Sequence, residues 1–396
     1  MLNIVFVCIV FTALVILLLI PTGFEQTKNG KNTLRTVGIV TETDESGVVQ
    51  HSMIKTGDQG VTVEITRGRF KGETVHSNNI LIGKLELDKY FRPGDKVLVG
   101  LQLNDTGQEI VFANVIDKYR INIELFLFAL FVVFLIVYAG WTGLKAVLSF
   151  AFTGVMIWKV IIPSFLKGYN PVFLSLGVVV LLTGAIIFLI GGLSKKGVVA
   201  FFGAISGVLV TCILSLIFGD AFRIHGAVKP FSETLLYSGF GHLDLTAIFL
   251  SGIFIASSGA VMDIAMDISA SMNEIHEKHP ETPRGELIRS GFNVGRAVVG
   301  TMTTTLLLAY SGGYTALLMV FMAQGTPMIN IFNLTYVSAE ILHTMVGSFG
   351  LVLVAPLTAL IGGLLYVPYN PSENAVTEKQ LEKRLLKNEY FQVTHR

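Results

Sequence analysis

The sequence predicts a mainly α-helical, polytopic membrane bundle with a small β-barrel domain of the OB or SH3-like kind. Of its 396 residues, 52% are hydrophobic and only 14% are charged, whereas soluble domains carry roughly 25% charged residues. Long apolar runs fill residues 2–20 and most of the chain after residue 121. Between them, residues 22–118 alternate polar with β-branched residues, which is typical of short strands. The barrel is therefore inserted between the first and second transmembrane helices.

Residues 1–21 are predicted to form a transmembrane anchor. The apolar run 2–20 has about the length that a bilayer requires. No lysine or arginine precedes the run, and no small-x-small cleavage pattern follows it. We therefore favour an uncleaved anchor over a signal peptide, which is the alternative interpretation.

Residues 22–118 are predicted to form an extracytoplasmic β domain of five or six strands. Stretches such as "GVTVEITRG" and "DKVLVGLQL" are separated by the turn sequences "GDQG", "RPGD" and "NDTG". In "TRGRFKG" three basic residues flank Phe70, a combination that also occurs in nucleic-acid sites. A solvated hairpin explains it better, because a barrel tethered by spans on both sides is poorly placed to read nucleic acid. No nucleic-acid partner is expected.

Residues 119–367 are predicted to form a transmembrane bundle of seven crossings. The segment 313–338 is ambiguous. It either crosses once with a kink at Pro327, or enters and returns as two half-helices of about twelve residues hinged at Gly325. The apolar spans are 121–140, 143–165, 171–193, 197–218, 245–268, 290–310 and 340–366.

Loop charge favours re-entry of this segment. Lys195, Lys196 and Lys278 lie in or beside short loops on one side, and the tail 368–396 is also basic. The positive-inside rule assigns all of these to the cytoplasm. Only a re-entrant pair leaves the tail on that side, so both termini are predicted to be cytoplasmic in a bacterial cell membrane.

Polar side chains interrupt two of the apolar spans. Asp263 and Asp267 are four residues apart and share one helix face. The following helix is expected to return beside them and to bring Arg296 within hydrogen-bonding reach as their countercharge. The predicted path for an ion or solute combines these three residues with others on the same hairpin and at the break in 313–338: Asn293, Thr301, Thr304, Gly325 and Pro327. A hairpin lock between the acids and Arg296 is the structural alternative.

Glu340 and His343 are secondary candidates, because they form a single E-x-x-H pattern. Di-iron bundles need two such patterns and further carboxylates, so no metal and no cofactor is expected. Intramembrane aspartyl proteases need aspartates from two helices, whereas Asp263 and Asp267 share one. HExxH, Walker A, GxSxG and CxxC patterns are absent from the sequence, so an enzyme is not expected.

Three stretches of this chain resemble the YibE/F-like family of bacterial integral membrane proteins. They are "SSGAVMDIAMDISASMNEI", "RSGFNVGRAVVGTMTTTLLLAYSGG" and "EILHTMVGSFGLVLVAPLTALIGGLL". The resemblance covers nearly the whole chain, and it implies a first anchor, an extracytoplasmic β domain and a membrane bundle. Members often carry Asp after the arginine and Asn within the threonine cluster, where this chain has Ala297 and Thr304. The resemblance implies no particular reaction.

Two functional hypotheses follow from these patterns. The first is a transporter or permease for a small solute or ion that uses the acidic hairpin. The alternative is a non-transporting scaffold or sensor whose outer β domain binds an extracellular partner. In both cases the lipid bilayer surrounds the bundle, and a homo-oligomer is compatible with either.

Overall fold

The computed structural model describes residues 2–24 and 32–367, which fall into two compact units. One unit, Pro21–Gly143, contains the β domain. The other unit joins Met1–Ile20 to Leu144–Arg396 and contains the helical bundle. The predicted tail 368–396 lies outside the described residues.

The β domain is a five-stranded antiparallel sheet that closes almost completely into a barrel. In sheet order β3-β2-β1-β4-β5, strands β3 and β5 are the two edges. These edges meet, since the Val115 backbone N–H donates to Ser77 Oγ at 3.1 Å. Alternating valine, isoleucine and leucine side chains of β2 and β4 are buried in the core, as the sequence pattern predicted. The strands are β1 (Thr33–His51), β2 (Ile54–Ile65), β3 (Thr74–Ile82), β4 (Lys96–Leu103) and β5 (Ile110–Lys118).

The first helices reproduce two predicted boundaries. Helix α1 covers Leu2–Leu19, and a helical run of 46 residues extends over Ile121–Leu166. That run is about twice as long as the hydrocarbon core is thick. It breaks at Gly140, which has φ +54° and ψ −126°, between the predicted spans 121–140 and 143–165. The run consists of α2 (Ile121–Met156), a π-helical turn (Ile157–Ile161) and α3 (Ile162–Leu166).

The remaining helices complete the bundle. Among the described residues, five helical runs are long and apolar enough to cross a membrane, and α1 is a shorter apolar helix. Helices α8 and α9 together reach the required length, but they are bent by 66°. The helices are α4 (Pro171–Gly191), α5 (Lys195–Phe222), α6 (Ser232–Tyr237), α7 (Leu245–Lys278), α8 (Arg284–Gly312), α9 (Thr315–Ala323), α10 (Met328–Asn333) and α11 (Thr335–Tyr366).

Helices α5, α7 and α11 form the centre of the bundle, and small residues let them approach closely. A Cβ atom added at Gly207 of α5 would lie 2.8 Å from Val261 Cγ1 of α7 and 2.8 Å from Val354 Cβ of α11. A Cβ added at Gly203, one turn earlier, would lie even closer to the Thr358 side chain of α11. The Gly203-x-x-x-Gly207 pattern is therefore a packing surface.

Three hydrogen bonds show which helix termini share one end of the bundle. The Leu193 backbone N–H, in the turn between α4 and α5, donates to Asn3 Oδ1 at 3.3 Å. Ser269 Oγ of α7 donates to the Lys196 carbonyl at 2.7 Å, and Tyr366 Oη donates to the Ser269 carbonyl at 3.1 Å. The start of α1 and the end of α11 therefore lie together, at what we call the near end. The opposite end is the far end.

Candidate functional site

A partly buried ion pair joins the loop after α5 to helix α11 at the far end. Lys229 Nζ lies 2.6 Å from Glu340 Oε2 and 3.3 Å from Tyr314 Oη. The Glu340 side chain is 14% exposed and that of Lys229 is 37% exposed. Such charge-assisted bonds are short and strong. The loop is fixed beside α7 because the Gly226 backbone N–H donates to Thr246 Oγ1 at 3.1 Å.

The carboxylate of Glu340 keeps Lys229 charged. Burial lowers the pKa of the Lys229 ammonium group, but the hydrogen bond and the charge of Glu340 outweigh burial, so the net pKa is raised. Lys229 therefore stays protonated at neutral pH.

His343 and Tyr310 extend this cluster along α11 and α8. His343 Nδ1 lies 3.8 Å from Glu340 Oε1, too far for a hydrogen bond. The imidazole packs on the Tyr310 ring, with 4.4 Å between the ring centroids. Among the described residues, neither ring nitrogen of His343 nor the Tyr310 hydroxyl has a hydrogen-bond partner, although all three atoms are buried. Such groups favour any ligand or water that bonds to them. We call Lys229, Tyr310, Tyr314, Glu340 and His343 the far-end cluster.

Two cavities meet at this cluster. The first, of about 900 Å³, has a mixed lining, to which His225, Lys229 and Glu233 contribute polar groups. The second, of about 690 Å³, has a mainly apolar lining from α8–α11, with Glu340 at its wall. Tyr314 and Leu317 line both cavities. The ion pair therefore lies where a cavity of mixed lining adjoins a mainly apolar one.

The broken segment predicted at 313–338 forms much of the second cavity. Its helices α9 and α10 contain nine and six residues, fewer than the roughly twelve predicted for each. Helix α10 is short because Leu334 is extended and α11 begins directly after it. Gly325 has φ +63° and lines the cavity, and Pro327 precedes α10. Tyr314 and Glu340 both contact Lys229. The segment therefore begins and ends at the far end, whereas its entry into the bilayer remains a prediction.

The predicted ion pair between Arg296 and the aspartates is not formed. Asp263, Asp267 and Arg296 are all exposed, and within the described part of the chain none of them has an ion-pair partner within 4.0 Å. Arg296 and Asp267 do lie at the same height along the two helices, as predicted, because a Cβ added at the adjacent Gly295 would lie 3.3 Å from Ile268 Cδ1 of α7. Because Gly295 faces the neighbouring helices, Arg296 points about 100° away from that contact.

The other predicted residues on α8 do not join the far-end cluster. Asn293, Thr301 and Thr304 are exposed, and Thr301 Oγ1 bonds back to the Val298 carbonyl at 2.9 Å. None of these three residues lines either cavity. The predicted site is therefore divided into separate exposed polar side chains on α7 and α8, and a cavity near Gly325 and Glu340.

Two sequence regions match established family models. Residues 127–368 match the YibE/F-like protein family, and residues 28–118 match the YibE/F family N-terminal domain. The chain belongs to the YibE/F-like family. The chain matches no curated protein and no solved structure. The N-terminal match covers the barrel, and the longer match contains the far-end cluster.

Lys229, Tyr310 and Tyr314 of this YibE/F-like chain were missed by the sequence analysis. Lys229 is a single lysine in an interhelical loop, 111 residues before its partner Glu340. No local pattern connects the two residues. Across the described residues, no group of three histidine, cysteine, aspartate or glutamate side chains is arranged to hold a metal ion.

Proposed function

We propose that this multi-pass membrane protein transports a small solute or ion, and that the far-end cluster is part of its binding site. The observation that carries the proposal is the Lys229–Glu340 pair at the boundary between the two cavities. Charged groups within membrane bundles commonly mark ion and solute pathways. A ligand that replaces one partner of this pair would open a connection between the two cavities.

The broken segment supports the same proposal. Transporters often place a substrate site at discontinuous helices, where helix ends and free backbone groups face the ligand. Here the break at Gly325 and Thr326 lines the same cavity as Glu340. The unpartnered ring nitrogens of His343 add buried groups to which a ligand can hydrogen-bond. In this proposal Asp263 and Asp267 take up or release the ion towards the near end.

A comparison of solute uptake tests this proposal. Cells that produce the wild-type protein should differ in uptake or growth from cells that produce Lys229→Met/Glu340→Gln, across a panel of ions and metabolites. The double variant removes both charges together, so it leaves no stranded charge. Asp267→Asn tests the acidic hairpin separately. If the double variant matches wild type for every solute at equal membrane abundance, the far-end cluster has no transport role.

We also propose that the protein lies in the bacterial cell membrane with its near end and both termini in the cytoplasm. A membrane-impermeant thiol reagent should then label Asp105→Cys, on the β domain, and leave Glu389→Cys unlabelled until the cells are opened. The charged loops support this orientation through the positive-inside rule. Labelling of both positions from outside would contradict it.

The alternative, a scaffold or sensor, has one observation in its favour. The β domain exposes apolar side chains on its edge strands, including Ile80 on β3 and Val111 and Phe112 on β5. Exposed apolar side chains of this kind are common at protein-binding surfaces. If Phe112→Ser removes the cellular phenotype and Lys229→Met/Glu340→Gln does not, the sensor hypothesis is the better account.

A further inference from the structure

The Lys229–Glu340 pair restricts which charges a ligand of the far-end cluster can carry. Lys229 Nζ lies 2.6 Å from Glu340 Oε2, so each group already neutralises the other. An anion that bound Lys229 would leave the Glu340 carboxylate, which is 14% exposed, without its cation. A cation that bound Glu340 would leave Lys229 without its anion. Because an unpaired buried charge is costly, a ligand that carries both charges fits best, since it can enter between the two groups and leave every charge paired.

The polar atoms around the ion pair form one set for each charge of such a ligand. Beside Lys229 Nζ lies the Tyr314 hydroxyl, at 3.3 Å, and both groups can donate hydrogen bonds to a carboxylate. Beside Glu340 Oε1 lies His343 Nδ1, at 3.8 Å. That distance is too long for a direct hydrogen bond. An ammonium group between the two atoms could donate to both when Nδ1 carries no proton.

The two cavities provide room for the rest of the ligand. Lys229 lines the first cavity, Glu340 lines the second, and Tyr314 lines both. The second cavity has a volume of about 690 Å³, and its lining includes large apolar side chains such as Phe321 and Phe332. A cavity of this size and lining suits an aliphatic or aromatic group.

We propose that the far-end cluster binds a zwitterionic α-amino acid with a large apolar side chain, of the leucine or phenylalanine class. Its carboxylate replaces Glu340 beside Lys229 and Tyr314, and its ammonium group replaces Lys229 beside Glu340 and His343. Its side chain occupies the second cavity. This substrate class rests on the ligand-binding role proposed above for the cluster. Lys229 can move to admit the ligand, because it lies in a loop and has a flexible four-carbon stem.

Analogues that each lack one group test the substrate class on the wild-type protein. Compared with L-phenylalanine, 3-phenylpropionate lacks the ammonium group, 2-phenylethylamine lacks the carboxylate and glycine lacks the ring. For L-leucine the single-charge analogues are 4-methylpentanoate and 3-methylbutylamine. Isothermal titration calorimetry in detergent should show that at least one of the two amino acids binds at least about tenfold more tightly than its analogues and glycine. If neither does, the substrate class is wrong.

Two adjacent leucines of α8 test where the side chain of the amino acid lies. Leu307 lines the second cavity, whereas Leu308, which is also exposed, lines neither cavity. Leu307→Trp places a larger ring in the cavity wall, so it should weaken binding of the amino acid at least about tenfold. Leu308→Trp should bind it as wild type does. Equal affinities of the two variants would contradict the placement of the side chain in this cavity.

The double variant distinguishes the substrate class from the transport proposal. Lys229→Met/Glu340→Gln should bind the amino acid at least about tenfold more weakly than wild type, and Lys167→Met, at an exposed lysine, should bind it normally. Equal binding by wild type and the double variant would overturn the proposed site. If uptake of a different solute depends on the ion pair and neither amino acid binds, the substrate class fails and transport stands. Selective binding of the amino acid without any flux would support the class and contradict transport.

Discussion

Lys229→Met is expected to destabilise the folded protein and to abolish its transport. The substitution leaves the Glu340 carboxylate, which is 14% exposed, without its cation. Removing one partner of a fully buried ion pair costs 3–5 kcal/mol. Because Lys229 is 37% exposed, we expect a smaller loss, of about 1–3 kcal/mol. The measurement is thermal unfolding of the purified protein in detergent.

The double variant separates stability from function. Lys229→Met/Glu340→Gln removes both charges, so most of the lost stability should return while transport remains absent. Lys167→Met is the matched control, because this lysine is exposed and has no ion-pair partner among the described residues. Its unfolding temperature should equal that of wild type. If Lys229→Met unfolds at the same temperature as Lys167→Met, the ion pair does not stabilise the far end.

Gly226→Ala is expected to have a still larger effect on the far-end loop. An alanine Cβ at this position would overlap the backbone carbonyl of Leu245 at the start of α7. Because the clash is with backbone atoms, no change of side-chain rotamer can relieve it, and the loop must move. Overpacking typically costs 1–3 kcal/mol, and a clash between backbone segments should cost at least about 3 kcal/mol. The shift would also withdraw Lys229 from Glu340.

Gly241→Ala is the control for this loop variant. Gly241 lies in the same interhelical connection, and an added Cβ there meets nothing within 4 Å. Thermal unfolding and solute uptake should both be reduced in Gly226→Ala and unchanged in Gly241→Ala. Equal behaviour of the two variants would mean that the contact between Gly226 and Leu245 does not position the loop.

Local patterns were sufficient to predict the β domain and most helices. Strand alternation in 22–118 reports directly which face is buried, and the five strands occur where it indicates them. Helix breaks occur at glycines, including Gly140 and Gly325, because both have positive φ values that other residues rarely adopt. These features depend on neighbours in sequence, so one sequence reveals them.

The side-chain pairing was harder to predict, because it depends on helix rotation and on distant contacts. Arg296 has the right charge and the right level for Asp267, but the adjacent Gly295 takes the position facing α7 and α11. Each step of one residue along an α-helix rotates the direction of the side chain by about 100°. The contact between Lys229 and Glu340 joins a loop to a helix 111 residues later. No periodicity within either segment carries that information.

The most direct test of the central proposal is flux into liposomes that contain the purified protein. Wild-type protein, Lys229→Met/Glu340→Gln and empty liposomes would be compared across a panel of small ions and metabolites at matched protein density. We expect at least one solute to enter faster with wild-type protein than with either control. Uptake that is identical in wild-type and double-variant liposomes for every solute would contradict it.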